Sequence, residues 1–217
     1  MVAAMELRRL RRDELPVGCI ALARSLIGCV VVRALDGDVA CGRIVEVEAY
    51  PHGDPASHAY RGRTARNASM FAPPHRAYVY LIYGTAHCLN VTSDPEGRGA
   101  AVLVRALEPL GGIEAMRRRR TGAAPRDLCR GPGRLCAALA IDRTLDGIDL
   151  LDDDRLWLAA PQGPRGRIVR SPRIGITRAA DRLLRFYEEG NPFVSGPRVA
   201  ADGTAGRRLD RRRKAVL

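Results

Sequence analysis

Two hairpin signatures constrain the fold of this chain more than any other feature. Asp36-Gly37-Asp38 separates the apolar runs Cys29–Arg33 and Val39–Tyr50, and Gly84-Thr85 separates Ala77–Tyr83 from His87–Thr92. Runs rich in Val, Ile and Tyr with a glycine turn between them read as paired antiparallel strands. Ala100–Leu107 reads as a further strand and Ile148–Leu151 as the start of another. A first helix is expected over Pro16–Ile27, with Pro near its start and Gly28 just past its end. Further helices are expected over Gly111–Arg120 and Gly133–Ile141. A long loop, Pro51–Pro74, lies between the hairpins, and loops of that length tend to carry function. No repeat or linker interrupts the pattern. The expected fold is mixed α/β (α+β), a single domain over residues 14–200: a curved, mainly antiparallel sheet with a protruding β-hairpin and surrounding helices. Residues 1–13 and 201–217 are expected to be flexible basic ends.

The formal charge of +12 points toward a polyanion partner. Arg207–Leu217 carries six basic residues against one acidic, and residues 1–13 four against two, so the body keeps less than half of that charge. A solvated basic surface and a nucleic-acid partner both fit. No apolar run reaches the roughly 18 to 20 residues of a membrane span, and the N-terminus lacks signal-peptide features; a cytoplasmic protein with no membrane partner is expected. The six cysteines form no Cys-x-x-Cys pair and most lie in apolar runs, and the four histidines lack helical ligand spacing. Free thiols, no metal and no cofactor are expected.

Side chains alternate faces along a strand. In Gly42–Tyr50 this places Val45, Val47 and Ala49 on one side, and Ile44, Glu46, Glu48 and Tyr50 on the other. Two carboxylates on one strand face point the same way, so they do not flank a substrate as the acid and nucleophile of a sugar hydrolase do. One carboxylate working on water beside an aromatic suits the spacing; an exposed face with two solvated glutamates suits it too. Three of the six tyrosines fall within Tyr78–Tyr83. Tyr78, Tyr80 and Ile82 share one face, Val79, Leu81 and Tyr83 the other, with Tyr83 next to the turn. Tyrosine fits pleated strands, but a protruding ring can also wedge into a base stack while deeper rings sandwich an extruded base.

Gly42-Arg-Ile-Val-Glu-Val-Glu-Ala-Tyr50, Arg66-Asn-Ala-Ser-Met-Phe71, Tyr78-Val-Tyr-Leu-Ile-Tyr-Gly84 and Leu103-Val-Arg-Ala-Leu-Glu-Pro109 resemble, in that order, the alkyladenine (3-methyladenine) DNA glycosylases. Gly131-Pro-Gly-Arg-Leu-Cys136, Arg173-Ile-Gly-Ile176 and Arg185-Phe-Tyr-Glu-Glu-Gly-Asn-Pro-Phe-Val-Ser195 continue the resemblance, which spans roughly residues 16 to 196. It implies a base-flipping repair enzyme acting as a monomer on double-stranded DNA with a damaged purine. By the same resemblance Glu48 is the general base for a water aimed at C1′. Arg105 and the backbone carbonyl of Ile174 help to hold that water. Tyr50, His58 and Tyr80 stack on and orient the base, Asn90 crowds the exocyclic amine of guanine, and Tyr83 intercalates. Glu46 has no catalytic counterpart. Thr85-Ala86-His87 departs from the family, whose members carry bulkier residues after the glycine; His87 either meets phosphate or is a surface histidine.

Glycosylases that also nick DNA work through a lysine or terminal amine. Lys214, in the Arg-rich tail, is the only lysine. Water is therefore the expected nucleophile and an abasic site the product, with the terminal amine as the remaining alternative. A nucleosidase acting on free purine nucleosides, and a nucleic-acid-binding module of the same fold without activity, are the competing readings.

Overall fold

A computed structural model describes residues 7–196. The chain enters through a short 3-10 turn, Arg12–Glu14, and helix α1, Cys19–Leu26, then forms the hairpin β1, Val30–Leu35, and β2, Asp38–Tyr50. The second hairpin is β3, Ala77–Ile82, with β4, Ala86–Thr92, followed by β5, Ala101–Gly111. Helices α2, Ile113–Arg119, and α3, Pro132–Ala138, precede three short strands: β6, Leu156–Ala159, β7, Ile168–Ser171, and β8, Arg185–Glu188. Among the described residues, the eight strands join one curled sheet in the order β3-β4-β5-β2-β1-β6, with β8 pairing both β2 and β7, and every strand pair is antiparallel. No helix among the described residues is long and apolar enough to cross a membrane.

One face of the sheet packs on the helices. Ile44, Val47, Ala49, Val79, Leu89, Val91, Val102, Val104 and Leu107 meet Leu22 and Leu26 of α1, Met116 of α2 and Leu135 of α3 in the main core. Helix α1 is too short to hold by itself in water. Leu22 and Leu26 are fully buried, and each such leucine contributes about 1.5–3 kcal/mol, so packing keeps the helix. All six cysteines are buried free thiols.

Several expectations are corrected. Pro16 lies outside α1, because Gly18, at φ +110°, turns the chain into the helix two residues later. Ile148–Leu151 is no strand: Asp149 makes one bridge to Arg76, and its carboxylate accepts the Leu151 N–H at 3.0 Å and pairs with Arg12 at 2.6 Å. Such side-chain bonding to nearby backbone competes with a ladder, and the strand forms later, as β6. The hairpin turn is centred on Tyr83-Gly84 rather than Gly84-Thr85, with φ of +53° and +70° and the Thr85 N–H donating to the Ile82 carbonyl. Residues 7–13, expected within a loose end, lie on the sheet edge, where Arg9 bridges Ala159 and stacks on Trp157. Residues 201–217, expected as the second loose end, lie outside the described residues.

Candidate active site

Strand β2 is where the sheet forks. Its first half pairs with β1 and its second half with β8, while β5 runs along its other side. At the fork the β2–β5 ladder slips twice: Val45 is skipped between Ile44 and Glu46, and Arg105 is skipped between Ala106 and Val104. A bulge turns two consecutive residues to the same side and re-aims the rest of the strand. Ile44 therefore joins Val47 and Ala49 in the main core, correcting its expected place beside the glutamates, while Val45 packs with Ala106, Tyr187 and Val194. Glu46 and Glu48 remain on the face away from the helices. Neither is solvated: both are fully buried, which removes the exposed-face reading.

Burying a carboxylate is costly unless it is paired and hydrogen-bonded. Glu48 meets that demand with three partners. The Ile174 N–H donates to Oε1 at 2.7 Å, Arg105 Nη1 lies 3.1 Å from the same oxygen, and the Tyr50 hydroxyl donates to Oε2 at 2.9 Å. All three partners line a cleft of about 620 Å³, within the roughly 300–1,000 Å³ of small-ligand pockets. Burial disfavours the charge on Arg105, but Glu48 and then Glu46 outweigh it and raise the guanidinium pKa. Burial, followed by the Glu48 charge, raises the Tyr50 hydroxyl pKa, so Tyr50 stays a donor to the carboxylate.

Behind Tyr50 stands Arg173. Its guanidinium lies 4.6 Å from the Tyr50 ring centroid, donates to the Ala49 carbonyl at 2.9 Å and pairs with Asp54 at 2.8 Å, both side chains fully buried. The long loop is thereby tied to β2, and the peptide that follows Arg173 is the one that holds Glu48.

The opposite wall is aromatic. His58 Nδ1 is 2.9 Å from the Tyr78 hydroxyl, and its ring meets the Tyr80 ring edge-on at 4.6 Å. Asn67 holds this stretch of loop by donating to the His58 carbonyl at 2.9 Å. Burial, and after it the charge of Arg66, keeps the His58 imidazole below its ordinary pKa; burial lifts the Tyr78 hydroxyl to about 12 and raises Tyr80 as well. Asn90 is oriented by donating to the Tyr78 carbonyl at 2.9 Å. Its side chain, with Tyr80, Cys88 and Leu103, also borders the cleft.

Tyr83 borders the cleft from the hairpin tip, although alternation placed it on the other face. It is 90% exposed, and its left-handed φ costs a bulky residue roughly 1–2 kcal/mol. Asn or Gly would sit there freely. An aromatic held at such a turn and offered to solvent is an outlier of the kind that accompanies function. His87 faces a separate small cavity shared with Asp142.

Residues 14–192 match the methylpurine-DNA glycosylase family. The chain belongs to that family. A relative from Mesorhizobium japonicum, bearing the provisional name 3-methyladenine DNA glycosylase, is 58% identical over 187 residues, covering 86% of this chain and 90% of its own. Similarly named relatives from Paraburkholderia phytofirmans and Chlorobaculum parvum are 45% and 43% identical, covering 87% and 95% of this chain and 89% and 100% of their own lengths.

In this member of the methylpurine-DNA glycosylase family, the residues to which the resemblance gave roles fall around one cleft: Glu48 behind it, and Tyr50, His58, Tyr80, Tyr83, Asn90, Arg105 and Ile174 on its walls, while His87 lies apart from it. Sequence reasoning missed the groups that hold them: Arg173 and Asp54 behind Tyr50, Arg185 and Ser195 around Glu46, and the Ile174 N–H on Glu48. Arg173 and Arg185 both open motifs that were recognisable, but neither spacing tells which carboxylate an arginine meets.

Proposed function

We propose that this chain is a monofunctional DNA glycosylase that flips an alkylated or deaminated purine out of the duplex and hydrolyses its N-glycosidic bond with a water activated by Glu48. The observation that carries this reading is a buried carboxylate whose three partners all line an aromatic-walled cleft of about 620 Å³ with an exposed tyrosine at its rim.

In this mechanism Tyr83 enters the base stack and fills the gap left by the extruded nucleotide. Unstacking costs a few kcal/mol and is least for damaged pairs. The base enters between Tyr50, His58 and Tyr80, whose π faces attract a cationic alkylpurine. Asn90, fixed by Tyr78, crowds a guanine amine. The water oxygen forms a bond to C1′ as the bond from C1′ to the purine nitrogen breaks. The purine leaves with the bonding pair, and the water proton passes to Glu48. The carboxylate also stabilises the positive charge that develops on the sugar. Arg105 and the Ile174 carbonyl hold the water; the neighbouring Ile174 N–H fixes the carboxylate. A purine that is already cationic leaves neutral and needs little acid assistance; a deaminated purine is neutral before cleavage and takes up a proton from solvent as it leaves. The protein acts on duplex DNA as a monomer.

Glu48→Gln removes the proton acceptor and keeps the shape. Base release from alkylated duplex is expected to fall by about 10²–10⁴, with lesion binding retained. The check is abasic-site formation alongside a binding titration; wild-type release by Glu48→Gln sinks the assignment.

A further inference from the structure

Glu46 is a buried carboxylate for which the hydrolysis has no direct use. Its Oε1 accepts from Arg105 Nε at 3.1 Å and from Arg185 Nε at 2.7 Å, and its Oε2 accepts the Ser195 N–H at 2.6 Å. Arg185 is locked from behind, donating to the Ser171 hydroxyl at 3.1 Å and the Ser195 carbonyl at 2.7 Å. Charges therefore alternate through the sheet from Glu48 to Arg105 to Glu46 to Arg185. Among the described residues, Arg105 is the only cation in direct contact with both carboxylates.

We propose that Glu46 is a positioning residue for this reaction, holding the Arg105 guanidinium in place and sharing its positive charge so that Glu48 remains able to take a proton. This rests on the reading of Glu48 as the base. A cation engaged by a single carboxylate favours that carboxylate's charged form and weakens it as a base. A second carboxylate on the far side of the same guanidinium offsets that pull. The geometry suits such a role, because Nε goes to Glu46 and Nη1 to Glu48; the planar fork spans both and its orientation is set. The other groups facing Glu48 are Tyr50 from its own strand, Arg173 behind Tyr50, Arg185 from β8 and Cys88 from β4. Burial raises the thiol of Cys88, leaving it neutral, so among the described residues Glu46 is the second anion placed to share Arg105.

The test is the pH profile of single-turnover purine release from methylated duplex, read for wild type, Glu46→Gln, Glu46→Asp and Glu48→Gln. With Glu46→Gln the whole charge of Arg105 falls on Glu48. The acid limb is expected to move to lower pH by roughly one unit, and the plateau rate to drop several-fold. Glu46→Asp keeps the charge and should leave the limb at its wild-type position. Should Glu46→Gln fail to fold because Arg185 has lost its carboxylate, the double variant Glu46→Gln with Arg185→Gln removes both charges and is expected to show a smaller shift of the same sign. A purely structural role would slow release equally at all pH values, and an unmoved acid limb overturns the proposal. If Glu48→Gln releases purines at the wild-type rate, the base assignment itself fails; an inactive Glu48→Gln beside an unshifted Glu46→Gln overturns only the role of Glu46.

Discussion

The two ends of the cleft are built on opposite principles. At the carboxylate end, Glu48 has no exposed surface and both its oxygens are engaged, and its arginine is shared with a second buried carboxylate. At the hairpin end, Tyr83 is almost wholly exposed and sits in a backbone conformation that disfavours it. The contrast follows from the part each end plays in the proposed reaction. A group that moves a proton must be held in one geometry in a dry place. A group that enters a base stack must be solvent-facing before it binds, and the strain of holding it there is tolerated because the hairpin behind it is well paired.

The contrast can be broken at several points, the largest effect being the loss of base release in Glu48→Gln. Next is Arg173→Met, which leaves the buried Asp54 carboxylate with the Ala56 N–H at 2.8 Å and, as its one remaining cation among the described residues, Arg182, 3.6 Å away and half exposed. Removing one partner of a buried ion pair costs about 3–5 kcal/mol, so the denaturation midpoint should fall steeply. A wild-type melt would show that the carboxylate end is not held by this clamp. A smaller change of opposite sign is expected at the tip. Tyr83→Asn relieves the left-handed strain and should stabilise the fold by about 1 kcal/mol, while lesion capture in duplex weakens more than in single strands. Equal binding losses on both substrates would remove the wedge role, and an unchanged melt would remove the strain.

The smallest effect concerns His58. Its folded pKa is depressed, so the native state binds fewer protons than the unfolded chain as pH falls toward and below the ordinary imidazole value. Stability present at neutral pH is then lost on acidification. His58→Phe should flatten part of that dependence in urea titrations at several pH values; an unaltered slope would place the acid sensitivity elsewhere.

Much of the fold was legible because it rests on local rules. Gly37 and Gly84 marked both hairpins, and Val, Ile and Tyr runs marked their strands. Where the reading failed, a local rule met a long-range one. Strict alternation placed Ile44 with Glu46 and Tyr83 away from Tyr80. A bulge at Val45 reversed the first, since one extra residue switches faces, and a left-handed turn residue reversed the second. Asp149 defeated the strand expected at Ile148–Leu151 through contacts with Arg12 and Arg76, both distant in sequence.

Glu48 shows the same division. By itself the sequence determined that two glutamates share a strand face with Tyr50, that no lysine stands in the body of the chain, and that the ordered motifs resemble one family. These are matters of periodicity, composition and order along the chain. Only the tertiary structure decided that neither glutamate is solvated, that Arg105 leaves the ladder to span both, and that Arg185, Ser195 and the Ile174 N–H complete their partners. The physical reason is that a buried charge is stabilised by partners brought from other strands, and their distance in space is not encoded in their spacing along the chain.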